Sequence, residues 1–165
     1  MAKTQEINPE DLIALYFRDM GAADRVFSDA REERKAFFRF ADLLCALRLI
    51  HEEDASPVSF DRVGSLLRNL SLAGTLEPRG KAAFGARERL RGVWEQLLGK
   101  SAALPLGRIL NDSRLLPLEK TAFLLAFCIQ RNRKYERIFG ELQDEGEGIL
   151  LPTAGLVSDL GRLFL

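Results

Sequence analysis

The chain has 165 residues, in which 24 Lys and Arg offset 24 Asp and Glu. With 47% hydrophobic and 29% charged residues, that length fits one globular domain, excludes an intrinsically disordered chain, and supplies a core that folds without disulfide or metal. The even charge argues against general polyanion binding and leaves a local basic face open.

The elements read as helices almost throughout. Asn8-Pro9-Glu10-Asp11 is a helix start, with a capping side chain, proline at the first helical position and acids at the positive end of the dipole. Leu12, Ile13, Tyr16, Phe17 and Met20 form its apolar face, and Gly21 stops it. Ser28 or Asp29 opens a longer helix that runs to about Ile50. Its apolar residues, Phe37, Phe38, Phe40, Ala41, Leu44, Cys45, Leu47 and Leu49 among them, wrap beyond one stripe, which predicts a central place in the core. His51 and the acids Glu52, Glu53 and Asp54 follow as a solvated helix end.

After Ser56-Pro57, Ser59 caps a short helix through Val63, Leu66, Leu67 and Leu70, and 72–80 is a loop. A helix from Lys81 to Leu98 carries Phe84, Leu90, Val93, Trp94 and Leu97 on one side, with Gly99 as its stop. Pro105 to Leu110 is a short helix, and Asn111-Asp112-Ser113 is a turn. A strongly apolar helix starts near Pro117. Lys134 to Gln143 forms an amphipathic one with Tyr135, Ile138, Phe139 and Leu142 on a shared face. That face should pack on the helix holding Leu124 and Leu125 and on a last helix capped by Thr153, with Leu156, Val157, Leu160 and Leu163 inward. Between them lies an acidic loop with Asp144, Glu145 and Glu147, and the run ILLP admits a short strand.

Few residues offer chemistry. Cys45 and Cys128 lie in apolar runs, which predicts buried free thiols and an intracellular, cytoplasmic protein. With one histidine and two separated cysteines there is no zinc spacing. No apolar run reaches the ~18 residues of a membrane span, and the first residues are too polar for a signal peptide. Gly99-Lys100-Ser101 ends like a phosphate-binding loop, but Trp94 stands where that loop needs glycine, so no nucleotide site is expected there. The acidic clusters lack the alternating spacing of a calcium loop. Two basic clusters remain, Arg87, Arg89 and Arg91, and Arg131, Arg133, Lys134 and Arg137. Each reads as a solvated face, a protein-docking surface or a phosphate-contacting one.

The last third carries a more specific pattern. LPLGRILNDSRLLPLEKTAFLLAF is followed by RKYERIFGELQDE and then by LPTAGLVSDLGRLF. Leu116 with Glu119, Leu124 with Leu125, then Tyr135, Glu136, Arg137 and Phe139, then Leu142, Gln143, Asp144 and Glu145, and finally Pro152 with Thr153, occur in an order that resembles the N-terminal region of a family of bacterial AAA+ ATPases, some associated with contractile injection systems. The resemblance covers about the last 60 residues.

It implies a single mainly α N-terminal domain over 1–165, an orthogonal arrangement of about seven helices, winged-helix-like with a minor β element. Residues 1–100 would be the variable helical part, and 104–165 the family-like part leading to an ATPase core. It further implies a non-catalytic protein-interaction or regulatory role for this chain, with no cofactor of its own. ATP and magnesium would belong to the core of the parent protein. The partners implied are that core and a protein substrate or adaptor; the even charge argues against nucleic acid, and the apolar runs are too short for a membrane. Arg131, Arg133, Lys134 and Arg137 are the candidate interaction surface. The alternative is a winged-helix-type DNA-binding module using the same basic residues.

Overall fold

The structure, a computed structural model, describes residues 26–50, 84–143 and 151–164. Within them the chain is mainly helical, with six helices and no strand: α1 Ala30–Ile50, α2 Phe84–Lys100, α3 Pro105–Leu110, α4 Pro117–Arg131, α5 Lys134–Leu142 and α6 Ala154–Gly161. The expected helices at 8–21 and 59–70, the loop at 72–80, His51 with its neighbouring acids, and the acidic loop at 144–148 lie outside the described residues. So does the first half of ILLP; its second half, Leu151 and Pro152, is not strand.

Helix starts follow local chemistry. Asp29 Oδ1 accepts from the backbone N–H of Arg31 and Glu32, at 2.8 and 2.9 Å, and caps α1. These bonds hold the Asp29 carboxyl below its ordinary range, the Glu32 amide contributing most. Prolines open α3 and α4 at the position where a missing N–H costs nothing. Glu119 Oε2 reaches back to the Leu116 N–H at 2.7 Å, one arm of a capping box. Thr153 Oγ1 accepts from Leu156 N–H and caps α6.

One expected boundary moves. Gly99 does not end α2, which continues through Lys100. The helix closes instead at buried Ser101, whose N–H and hydroxyl both bond to the Leu97 carbonyl, at 3.0 and 2.8 Å. The resemblance to a phosphate loop at 99–101 is therefore a helix end with its hydroxyl turned inward.

Helix α1 is central, as its broad apolar surface predicts. It packs against α3, α4, α5 and α6, and reaches α2 through aromatic rings. Trp94 of α2 lies 5.4 Å from Phe40 and 5.1 Å from Phe164, centroid to centroid, and meets Phe37 edge-on at 6.0 Å. Aromatic rings bury the most apolar area per side chain, so this cluster ties the first helix, the second and the chain's last turn into one core. Leu44, Cys45, Leu124 and Leu125 are fully buried. Phe38 is only partly so, since it lies at the edge of α1 between Tyr135 and Phe127.

Two buried acids fasten the helices. Glu33, 1% exposed, points its Oε1 at the Gly107 N–H of α3 at 2.8 Å. A carboxylate on α1 thereby serves as the cap for a helix 74 residues away. Gly107 is required there: a Cβ at this position would overlap the Ser101 carbonyl backbone.

Candidate interaction surface

The basic cluster at 131–137 occupies the corner between α4 and α5, and its conformation is set from beneath. Asn132 ends α4, its N–H on the Cys128 carbonyl at 2.9 Å. Its Oδ1 then accepts the N–H of Lys134, the first residue of α5. The apolar side of α5 is buried as expected, with Tyr135 and Phe139 inaccessible to solvent and Ile138 and Leu142 nearly so. That face packs chiefly on α1 and α4. Gln143 bonds through Nε2 to the Leu151 carbonyl and through Oε1 to the Thr153 N–H, which joins the end of α5 to the start of α6 by an amide, and the apolar residues of both helices belong to one core cluster.

Under the corner lies a polar network that a linear reading of the sequence does not reveal. Asp42 of α1 is 4% exposed. Its Oδ2 accepts from Lys134 Nζ at 2.7 Å and its Oδ1 from the Tyr135 hydroxyl at 2.7 Å. The same hydroxyl lies 2.9 Å from the Phe38 carbonyl, so one phenolic hydrogen faces two acceptors. Burial pushes the Asp42 carboxyl above its ordinary range, and the pull of Lys134 only partly offsets this. The Tyr135 phenol is pushed far up, again mainly by burial, and stays protonated. Cys45 and Cys128 are both free and buried, and burial raises both thiols. Nothing in this set forms a nucleophile. Asp42, Tyr135 and Lys134 are hydrogen-bonded to one another, and Asp42, Tyr135 and both thiols are buried.

The four residues of the candidate surface divide accordingly. Lys134 is turned inward to Asp42 and lies 4.9 Å over the Tyr135 ring, a structural cation. Arg131, Arg133 and Arg137 are exposed. Arg131 is held over the Phe127 ring, 6.0 Å from its centroid. In the other basic cluster, Arg91 pairs with Glu95 at 3.5 Å on an exposed face of α2, and the side chains of Arg87 and Arg89 lie outside the described residues. Among the described residues no group of three His, Cys, Asp or Glu could hold a metal ion, and no helix is long and apolar enough to cross a membrane.

Most residues that carry the family-like pattern are thus in structural use: Glu119 caps, Leu124 and Leu125 fill the core, Tyr135 anchors, Gln143 and Thr153 join α5 to α6. Sequence reasoning missed Asp42 and Glu33. The available signal was a carboxylate inside an apolar helical run, Asp42 between Ala41 and Leu43. Comparison with protein-family models, with curated proteins and with solved structures finds no match to this chain.

Proposed function

We propose that the chain is a non-catalytic protein-interaction module, the N-terminal domain of a cytoplasmic bacterial AAA+ ATPase whose core binds ATP and magnesium and remodels a protein substrate. The observation that carries the interaction role is the α4–α5 corner. Arg131 at the end of α4, Arg133 in the turn and Arg137 on α5 stand exposed around a helix start that is locked by a part-buried ion pair and a buried tyrosine. A surface held this way meets a partner with little ordering cost. The polar groups beneath it bond to one another rather than converging on a cleft, which suits docking better than catalysis. The ATPase parent, the winged-helix-like arrangement and the contacts with the downstream core and an adaptor rest on the resemblance of 104–165 alone.

The test is site-specific photo-crosslinking from position 133 of the intact protein in cells, with products divided by nuclease treatment and mass spectrometry. Crosslinks to a defined protein segment support the module. A nuclease-sensitive product whose yield falls steeply with salt moves the chain to the DNA-binding class. A Walker A motif encoded beyond the Leu165 codon supports the ATPase parent, and a different downstream domain removes it.

A further inference from the structure

The arginines at the corner belong to a larger ridge. Tyr135 and Phe38 lie 5.8 Å apart, Phe38 and Phe127 stack at 5.8 Å, and the Arg131 guanidinium lies 6.0 Å over Phe127. This ladder runs from the buried Asp42 network outward to a cation. Phe38 and Phe127 are each only partly buried. Lys35, one turn before Phe38 on α1, is exposed on the same side, and Arg133, just before α5, and Arg137, one turn on within it, are exposed. None of Lys35, Arg131, Arg133 and Arg137 forms an ion pair among the described residues. Of the described acids beside it, Asp42 is matched by Lys134 and Glu136 is half-buried.

We propose that this ridge docks an acidic peptide segment bearing an apolar side chain, the apolar group lying against Phe38 and Phe127 and its carboxylates on Arg131, Arg133, Arg137 and Lys35. The inference rests on the protein-interaction reading and adds the chemistry of the partner. A guanidinium stacked on a ring is pre-positioned and keeps its planar fork free for bidentate contact with carboxylate. A polynucleotide fits less well. The chain as a whole is neutral, giving no long-range attraction for a polyanion, and the ridge is assembled from parts of three helices with Glu136 among its cations.

The experiment is fluorescence anisotropy on the intact chain with three labelled probes: a short Asp/Glu peptide around one Phe, its Asn/Gln counterpart, and single-stranded oligo-dT. The acidic peptide should bind saturably and weaken with salt, and its amide counterpart should bind at least about tenfold more weakly. Arg131→Glu with Arg137→Glu should weaken the acidic probe about tenfold or more, while Arg108→Glu on α3 leaves it unchanged. Unaltered thermal unfolding of each variant separates docking from folding. The proposal is overturned by equal binding of the two peptides, by indifference to the double reversal, by absence of saturable binding at millimolar peptide, or by tighter binding of oligo-dT. Crosslinks from position 133 to a protein segment without clustered acids overturn the acidic partner and leave the interaction module standing. A nuclease-sensitive product removes both.

Discussion

Lys134 Nζ lies 2.7 Å from Asp42 Oδ2, across 92 residues of sequence. This pair, with the Tyr135 hydroxyl, is the polar joint between the central helix and α5. Breaking a buried pair leaves the surviving charge without compensation, whereas the pair itself adds little over an apolar contact. Lys134 keeps 28% of its side chain exposed, so part of its charge remains solvated. Asp42→Ala should therefore cost about 2–3 kcal/mol, at or below the lower end for buried pairs. Lys134→Met should cost as much or more, because it strands the Asp42 carboxylate, its side chain 5% exposed, with only the Tyr135 hydroxyl bonded to it. Urea unfolding of both single variants and the double variant gives the coupling. Additivity within ~0.5 kcal/mol would show that the two residues act independently.

Glycine substitutions should split by position. Gly107→Ala would drive a Cβ into the Ser101 backbone and should cost ~3 kcal/mol or more, the range of overpacking against a rigid neighbour. At Gly92 and Gly99, both within α2, a Cβ meets nothing within 4 Å. Alanine at either should stabilise by ~0.5–1 kcal/mol through helix propensity. Thermal unfolding of the three variants checks both signs.

Acid should act on Glu33 in an uncommon direction. Its folded-state carboxyl is raised above the ordinary 4.5, first by burial, with the Gly107 amide opposing. A raised carboxyl means that the folded chain holds a proton the unfolded chain releases. The contribution of Glu33 is complete below pH 4.5 and is lost as pH rises through the folded value. Asp42 has the same sign, from 3.8 upward. Asp112, lowered to about 2 by its bonds with Arg114, has the opposite sign: its contribution is present above 3.8 and lost as pH falls through about 2. Glu33→Gln keeps an oxygen for Gly107 and removes the titration. Relative to wild type it should gain stability as pH rises above 4.5, and a constant difference across that range would refute the assignment.

The two thiols give a direct test of the core. Cys45 and Cys128 are the chain's only cysteines, and both are buried with raised thiol values. Ellman's reagent should find no fast-reacting thiol in the folded chain and two in denaturant. Leu125→Ala, at a fully buried position on α4, should cost ~2–5 kcal/mol and expose them.

Helix starts at Pro105, Pro117 and Thr153, the cap at Asp29 and the central place of α1 were legible because they depend on neighbours within one or two turns. The end of α2 was not, since Gly99 alone suggests a stop and the helix instead closes on Ser101. What Glu33 and Asp42 bind was illegible for a related reason. Their partners, Gly107 and Lys134 with Tyr135, stand 74 residues and more away, and no periodicity carries that information. The candidate surface was legible in part: Arg131, Arg133 and Arg137 are exposed, and Lys134 is claimed by the joint beneath them.

Helix α5 is held by Asp42 rather than by its own nine residues, which are too few for a stable isolated helix. Hydrogen exchange on Asp42→Ala measures this directly. Amides of Lys134–Leu142 should lose protection by about tenfold or more relative to wild type, while those of α2 keep theirs. Equal loss across α2 and α5, or unchanged protection in α5, would contradict it.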